Sequence, residues 1–296
     1  MAFASTPPPA GPVGSLVWKP RDDQVDAFGL TDRGKVRPDN QDHFLLCSLH
    51  KTMQVRGSSL PNPELLELPS ERLAMIIMVA DGVAGTSGGE EASRAALETI
   101  ATYITHTMQC YYRADPADEA AFFAALTEAA EQGHEAVVAR AKARGKEGMA
   151  TTLTMGIGVW PIVYTLHVGD SRYYQLRDGV LRQMTRDQTM AQDLVDAGAL
   201  RPSDLAKSPF SNILSSAIGG SHKPVVIKTD IRPGDVTLLC TDGLTKHVSD
   251  DRIRERLLNM ESAEQACRAL VDDALAGGGT DNITVVVARP LGGPGR

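Results

Sequence analysis

Short hydrophobic runs separated by turn residues occur in three groups along the chain, a pattern typical of β-strands. They predict strands over residues 27–30, 43–49 and 72–80, then 152–160, 161–168, 172–177 and 180–185, and finally 225–231, 236–241 and 282–289. Apolar residues at helical spacing predict helices over 89–112, 116–143, 250–259 and 262–276. Strands in runs followed by helices in runs predict an α+β fold, with antiparallel sheets and helices on their outer faces.

Two segments lie outside this pattern. Residues 1–20 are rich in Pro, Ala and Gly and show no apolar period, so we expect a flexible tail before one folded domain, 21–296. Residues 189–221 combine Ser, Gly and Pro with one short apolar run. They are predicted to form a partly helical insertion on the surface, near a functional site.

Composition and charge narrow the choice of partners. The 296 residues carry a net charge of −7, a poor match for a polyanion, so no nucleic-acid partner is expected. No apolar run approaches the roughly 20 residues of a membrane helix. The four cysteines have neither metal-binding spacing nor the density of a disulfide scaffold, which predicts reduced thiols and a cytoplasmic protein.

Four aspartates lie at the ends of strongly apolar predicted strands. Asp42 and Asp281 each precede a strand, and Asp81 and Asp242 each follow one. In an antiparallel pair the start of one strand meets the end of the other, so we expect Asp42 beside Asp81 and Asp242 beside Asp281. One packing of two sheets could then bring all four carboxylates together.

Four carboxylates without a lysine among them would repel one another unless they held cations. Oxygen ligands favour Mg²⁺ or Mn²⁺ over zinc, and glycines such as Gly82 let the backbone approach an ion closely. Asp-Gly is also a common turn signal, and Asp178-Gly179 is expected to be an ordinary hairpin turn. The placement of all four aspartates at strand ends is what favours a metal site.

Six motifs, in order along almost all of residues 26–289, carry a family resemblance. They are TDRGKVRPDNQDHF, VADGVAGTSGGEEAS, GMATTLT, HVGDSRYYQLRDG, LLCTDGL and GGGTDNITVVV. With them the chain resembles the metal-dependent Ser/Thr phosphatases of the PP2C (PPM) family, in the bacterial branch. This resemblance implies a central β-sandwich of two antiparallel sheets flanked by antiparallel helix pairs. It also implies that residues 189–221 are the family's flap beside the active site.

The resemblance assigns roles to individual residues. It implies two Mn²⁺ or Mg²⁺ ions, held by Asp42, Asp81, Gly82, Asp242 and Asp281. Asp81 would bridge the ions, Gly82 would contribute its carbonyl, and Asp42 would act directly or through water. Arg37 would bind the substrate phosphate, because a planar guanidinium can hold two phosphate oxygens at once. Arg37, Asp81 and Asp242 are the implied catalytic set.

Further residues are implied around this set. Asp170 and Asn282 would lie behind the ligands rather than bind an ion themselves. A possible third ion would use Asp187. The acidic partner that bacterial relatives supply for that ion is replaced here by Gly145, and Glu147 is the nearest substitute.

The function implied is a protein serine/threonine phosphatase in which a metal-activated water hydrolyses phosphoserine or phosphothreonine. Its partners would be phosphorylated proteins and a cognate Ser/Thr kinase, and a monomer is expected. Two alternatives remain open at this point. The same cluster could hydrolyse a small phosphomonoester, or the chain could be a pseudophosphatase that only binds phosphoproteins.

Overall fold

The structure of the chain is a computed structural model that describes residues 19–55, 59, 61, 68–83, 88–107 and 119–292. Most of the predicted flexible tail, up to residue 18, lies outside the described residues. None of the helices in these ranges has the length and apolar character needed to cross a membrane.

Strands and helices alternate in groups along the described chain. The strands are β1 (Val25–Asp32), β2 (Asp42–Met53), β3 (Leu68–Asp81), β4 (Leu153–Val159), β5 (Ile162–Val168), β6 (Arg172–Arg177), β7 (Val180–Gln183), β8 (Val225–Asp230), β9 (Val236–Cys240) and β10 (Ile283–Pro290). The helices are α1 (Gly89–Thr107), α2 (Glu119–Arg144), α3 (Met190–Asp196), α4 (Asp242–Thr245), α5 (Asp250–Leu258) and α6 (Ala263–Ala276).

Two five-stranded antiparallel sheets form the centre of the molecule. The first sheet has the order β1-β10-β9-β6-β7, and the second has the order β2-β3-β4-β5-β8. Helices α1 and α2 cover the second sheet, and α5 and α6 cover the first. The predicted α+β sandwich with a helix pair on each outer face is therefore confirmed.

Strand β3 shows how the sequence builds these layers. Successive side chains of a strand point to opposite faces of its sheet. Ile76, Met78 and Ala80 therefore pack with α1 and α2, while Ile77 and Val79 pack between the two sheets. All five side chains are buried, which explains why this strand is an uninterrupted apolar run rather than an alternating one.

The first sheet is built in the same way. Val285 and Val287 of β10 pack against the outer helices, and Val286 between them packs against the opposite sheet. Leu270 of α6 belongs to the same outer core. The two sheets thus share one thin inner core, and each has its own larger outer core beneath helices.

Two elements differ from the prediction. The two strands predicted over 43–49 and 72–80 are longer than expected: residues 50–53 and 68–71 continue their pairing, and Lys51 lies opposite Glu71. Helix α4 was not predicted, because a four-residue helix that contains glycine has no hydrophobic period to reveal it. It begins directly after β9 and therefore fixes the direction of the chain at Asp242.

Residues 189–221 form an irregular segment that contains α3 and a 3₁₀ helix, Pro202–Lys207. The side chain of Thr189 caps α3 by accepting from the amide of Gln192 at 3.2 Å. Isolated bridges pair Thr189 with Leu214 and Ile218 with Thr151. These bridges hold the end of the segment against the sandwich edge where the four aspartates lie.

Candidate metal centre and active site

The two sheets bring the four aspartates together at one end of the sandwich. Asp42 and Asp81 are direct partners in the β2–β3 register. In the other sheet, backbone pairing continues one residue beyond the end of β9 with an N···O distance of 3.0 Å, which places Asp242 and Asp281 at the same edge. The convergence expected from antiparallel pairing is confirmed for both pairs.

A cleft of about 660 Å³ opens at this edge. One wall carries Arg37, and another is formed by residues 212–217 together with 220 and 221. Acidic side chains from both sheets line it between these walls: Asp81, Asp170, Asp242 and Asp281. The cleft therefore combines an acidic floor with a basic residue at its edge.

Asp42 lies behind this floor and is only 3% exposed. The hydroxyls of Thr241 and Thr284 each donate a hydrogen bond to its Oδ2 at 2.8 Å. Burial raises the pKa of Asp42 to about 7, against the effect of these hydroxyls and with a further rise from Asp242 and Asp281. Its Oδ1 is buried and has no hydrogen-bond partner among the described residues. Such a carboxylate requires a proton or a cation nearby.

The pKa values of two further carboxyl groups are also raised. Burial, together with the charges of Asp42 and Asp242, raises the pKa of Asp81 well above its ordinary value. Burial and the charge of Asp242 raise the pKa of Asp170 to about 8, although Lys246 opposes this rise. Asp170 thus belongs to the same electrostatic cluster as the predicted ligands, and its supporting role stays a prediction.

Gly82 lines the cleft directly after Asp81. A Cβ atom at this position would lie 2.4 Å from the backbone carbonyl of Gly89, at the start of α1. Only glycine therefore allows α1 to begin this close to the end of β3. The carbonyl ligand that the sequence assigned to Gly82 stays a prediction.

Arg37 contacts Asp281 across the cleft edge. Its Nε lies 2.7 Å from Oδ1 of Asp281, and its Nη2 donates to Oδ2 at 2.9 Å. Burial would raise the pKa of Asp281, but these bonds and those from Lys246 hold the pKa below its ordinary value. The predicted phosphate-binding residue is therefore at the site, and it pairs with one of the predicted metal ligands.

A lysine lies among the carboxylates, and the prediction that none does is wrong. The Nζ atom of Lys246 lies 2.6 Å from Oδ2 of Asp242 and 2.7 Å from Oδ2 of Asp281. Partial burial would lower the pKa of Lys246, but the two carboxylates raise it above its ordinary value. The ammonium therefore stays charged at neutral pH. Its position four residues after Asp242 is a sequence signal for contact, but only once α4 is known to be helical.

Asn282 supports the loop that carries Arg37. Its Oδ1 accepts from the amide of Gln41 at 2.9 Å, and its Nδ2 donates to the carbonyls of Arg33 and Asp39 at 2.8 and 2.9 Å. The side chain is buried, so these bonds clamp both ends of the loop to the start of β10. The position behind the metal ligands that the sequence assigned to Asn282 stays a prediction.

The residues predicted for a third ion are not gathered at the cleft. Asp187 accepts three hydrogen bonds of 2.7–3.1 Å from the guanidinium of Arg172 and another of 2.8 Å from Gln183. Glu147 lies on the exposed turn after α2, next to Gly145. Asp187 is thus already neutralised by an arginine, because the hairpin formed by β6 and β7 returns the chain beside Arg172. This geometry gives no support to the third site.

The oxygen atoms of the predicted metal ligands nevertheless fit two hard divalent ions. The free oxygens are Oδ1 of Asp42 and Oδ1 of Asp242, both buried without a hydrogen-bond partner in the part of the chain that the structure describes. All the donors are oxygens, which suits Mn²⁺ or Mg²⁺. Among the described residues, no three acidic, histidine or cysteine side chains already surround a single ion-sized position. Lys246 and Arg37 hold carboxylate oxygens that an ion would take.

The class of this protein follows from its match to a known family, together with the antiparallel sandwich and the acidic cleft at one end. The family model described as protein phosphatase 2C matches residues 67–276, which is more than half of the chain. The chain therefore belongs to the protein phosphatase 2C family, as the six motifs predicted.

Individual relatives agree with this assignment. The serine/threonine protein phosphatase PstP of Mycobacterium tuberculosis is 38% identical over 217 residues, which cover 73% of this chain and 40% of PstP. The chain thus spans less than half the length of that relative. The serine/threonine phosphatase stp of Listeria monocytogenes is 31% identical over 270 residues, which cover 90% of this chain and 96% of stp.

A solved structure extends the comparison to the fold. The catalytic domain of the serine/threonine protein phosphatase PstP in complex with two manganese ions superposes with a TM-score of 0.70 at 30% identity. The match covers 90% of this chain and 99% of that domain. The present chain therefore has the fold of the PstP catalytic domain.

Proposed function

We propose that this chain is a metal-dependent protein serine/threonine phosphatase that hydrolyses phosphoserine and phosphothreonine. The observation that carries this proposal is the acidic cleft, where carboxylates of both sheets converge and buried oxygens of Asp42 and Asp242 have no hydrogen-bond partner among the described residues. The names of the relatives and the two manganese ions in the PstP structure support it.

The chain's own residues would act in the following way. Two Mn²⁺ or Mg²⁺ ions would be held by Asp42, Asp81, Gly82, Asp242 and Asp281. When bound, such ions supply an activated water nucleophile and Lewis acidity at the phosphoryl group. The guanidinium of Arg37 would bind two phosphate oxygens and stabilise the charge that develops on them. Asn282 would keep Arg37 at the cleft edge through the loop it clamps.

The surroundings of the cleft favour a protein substrate over a small phosphomonoester. Ile213 lines the cleft, and it is exposed together with Phe210 and Met190 on the same segment. Exposed apolar side chains beside a polar cleft suit contact with a peptide chain. Residues 189–221 would act as the substrate flap. A cytoplasmic monomer that reverses the action of a cognate Ser/Thr kinase fits this assignment.

An assay on purified protein tests the proposal. Phosphoserine, phosphothreonine and phosphotyrosine peptides and a generic aryl phosphate would be compared in Mn²⁺, Mg²⁺ and a chelator. We expect turnover only with a divalent ion, and a higher kcat/KM for phosphoserine or phosphothreonine peptides than for the aryl phosphate. The reverse preference would indicate a small-molecule phosphomonoesterase. Complete inactivity of folded, ion-loaded protein would indicate a pseudophosphatase.

A further inference from the structure

Lys246 lines the cleft, and the proposed mechanism does not use its contacts. Its Nζ bridges Oδ2 of Asp242 and Oδ2 of Asp281, at 2.6 and 2.7 Å. The side chain is 27% exposed and lines the cleft. A single ammonium thus joins two carboxylates that lie on different elements, one at the start of α4 and one before β10.

An ordinary helix-surface ion pair does not account for this contact. A lysine four residues after an aspartate stabilises an exposed helix by only about 0.2–0.5 kcal/mol. Helix α4 has only four residues, and Lys246 is its C-terminal cap rather than part of a long helical face. The second contact, to Asp281, spans 35 residues of sequence. The geometry is that of a cation held between two acidic groups from separate parts of the chain.

The electrostatic surroundings explain why a cation is held there. The carboxyl groups that act on one another at this end of the sandwich are Asp42, Asp81, Asp170, Asp242 and Asp281. Arg37 and Lys246 are the cations that contact them within the described residues, and both contact Asp281. No cation in the described part of the chain contacts Asp42 or Asp81. The positive charge of the ion-free site is therefore concentrated on one side of the cleft.

We propose that Lys246 is a built-in cation of the ion-free site, which a divalent ion must displace to reach Oδ2 of Asp242 and Oδ2 of Asp281. An ion that binds these oxygens at the usual distance of about 2.1 Å would lie too close to an ammonium that bonds the same oxygens. The two positive charges would also repel each other. The long, flexible stem of lysine allows the ammonium to leave.

Two consequences follow for this chain, and they rest on the proposed function only in taking these carboxylates as the ion site. Lys246 stabilises the protein without metal, because it neutralises Asp242 and Asp281. It also weakens the binding of one of the two ions, because that ion must first break two charge-assisted bonds. Removal of the ammonium should therefore tighten ion binding and destabilise the ion-free protein at the same time.

The test is Mn²⁺ titration by calorimetry on chelator-treated, full-length protein, with thermal unfolding in parallel. For Lys246→Met, which keeps the length of the side chain, we expect the Kd of the weaker Mn²⁺ site to fall about tenfold, the order expected for one close charge pair that is partly exposed. We also expect a lower Tm than wild type in chelator and a larger rise in Tm on addition of Mn²⁺.

Two matched variants control the test. Lys35→Met removes an equal charge from the exposed loop beside Arg37, where no ion pair of Lys35 is found among the described residues, and should leave the Mn²⁺ Kd within about threefold. Lys246→Arg keeps a positive charge and should resemble wild type.

Should Lys246→Met fail to fold, lysine-selective nuclear magnetic resonance of wild type still tests the proposal. Mg²⁺ should shift one lysine side-chain signal, the one missing from Lys246→Arg.

The outcomes separate the two proposals. Equal Mn²⁺ affinity in wild type and Lys246→Met, or an unmoved Lys246 signal at saturating Mg²⁺, overturns the role of Lys246 and leaves the phosphatase proposal intact. Equal tightening in Lys35→Met and Lys246→Met also overturns it, because it would reflect net charge alone. Absence of Mn²⁺ binding in every variant would contradict the ion site itself.

Discussion

The two aspartate pairs at the cleft occupy equivalent places in their sheets, yet they are stabilised in different ways. Asp42 and Asp81 end the β2–β3 pair, where Asp42 accepts hydrogen bonds from two threonine hydroxyls, and burial raises the pKa of both carboxyl groups. Asp242 and Asp281 end the β9–β10 pair, where Lys246 contacts both and Arg37 contacts Asp281. Among the described residues, the pair Asp42 and Asp81 thus has no cation in contact with it, whereas the pair Asp242 and Asp281 has two.

This difference shows which carboxylates the protein's own side chains can neutralise without metal. Arg37 and Lys246 neutralise the outer pair, Asp242 and Asp281, which lies at the cleft edge. In the inner pair, Asp42 and Asp81, the first lies buried behind the cleft floor and the second lines the cleft, and a divalent ion is the natural way to neutralise both. We therefore expect metal binding to matter more for the inner pair than for the outer pair.

The largest effect is expected from substitution within the inner pair. Asp81→Asn should reduce metal-dependent kcat/KM roughly 1,000-fold, because a proposed bridging ligand loses its charge. The same change should raise the Tm of the ion-free protein, since it removes a repelling carboxylate. Kinetics and thermal unfolding in chelator measure the two effects.

Asp178→Asn is the matched control for Asp81→Asn. Asp178 lies in the exposed hairpin turn between β6 and β7 with a φ of 50°, which asparagine tolerates well. We expect its activity and Tm to equal those of wild type. A lower ion-free Tm in Asp81→Asn would contradict the view that the inner carboxylates destabilise the protein without metal.

Substitution of Arg37 tests the pair Asp242 and Asp281, because Arg37 contacts Asp281. Arg37→Ala should lower kcat/KM for a phosphopeptide about 100-fold, because a charged donor to the developing phosphate charge is lost. Arg37→Lys should recover only part of this loss, since lysine lacks the planar fork. Steady-state kinetics at saturating Mn²⁺ measure both. Arg33→Ala, in the same loop, is the control, and equal losses in Arg33→Ala and Arg37→Ala would contradict a specific role.

The pH dependence of stability sharpens the contrast between the pairs. Asp42 and Asp170, with pKa values raised to about 7 and about 8, keep protons in the folded state that the unfolded state has already lost. The free energy of unfolding of ion-free protein should therefore fall by about 2 kcal/mol between pH 6.5 and 8.0. Below pH 6.5, His167 contributes the opposite slope, because burial lowers its pKa to about 4.

Urea unfolding at several pH values in chelator measures this slope. Saturating Mn²⁺ should abolish or reverse it, because ions bind the ionised carboxylates. Asp42→Asn should reduce it. A slope that is unchanged in Asp42→Asn and in Mn²⁺ would show that the inner carboxyl groups are not its source.

The smallest effect is expected for the hydroxyls around Asp42. Thr284→Val removes hydrogen bonds of 2.8 Å to both Asp42 and Thr31 and should reduce the free energy of unfolding by about 1–2 kcal/mol. Thr165→Val is the control, because the buried hydroxyl of Thr165 has no hydrogen-bond partner within the described part of the chain. Equal destabilisation by both changes would indicate packing rather than the hydrogen bonds.

Much of the site followed from the sequence because strand ends are easy to locate. The apolar run before Asp81 and the run after Asp281 mark their edges, and antiparallel pairing then fixes which aspartates meet. The motif resemblance supplied Arg37, whose contact with Asp281 spans 244 residues and has no local signal. The sandwich and its four main covering helices were predictable for the same reason.

Lys246 and Asp187 were not predictable in this way. The contacts of Lys246 depend on a four-residue helix without a hydrophobic period and on an aspartate 35 residues later. Asp187 pairs with Arg172 because a hairpin returns the chain beside β6, and proximity of that kind does not appear in a pattern of apolar residues. Side-chain partners of charged residues are set by tertiary geometry, which a pattern of apolar residues does not reveal.

The central claim is that these carboxylates form one site that divalent ions complete. A crystal structure grown in Mn²⁺, with anomalous diffraction measured at the manganese absorption edge, tests it most directly. We expect two anomalous peaks in the cleft, beside Asp81, Asp242 and Asp281, with the ammonium of Lys246 moved off the carboxylates. A cleft without an anomalous peak at saturating Mn²⁺, with Lys246 still bridging Asp242 and Asp281, would contradict the account.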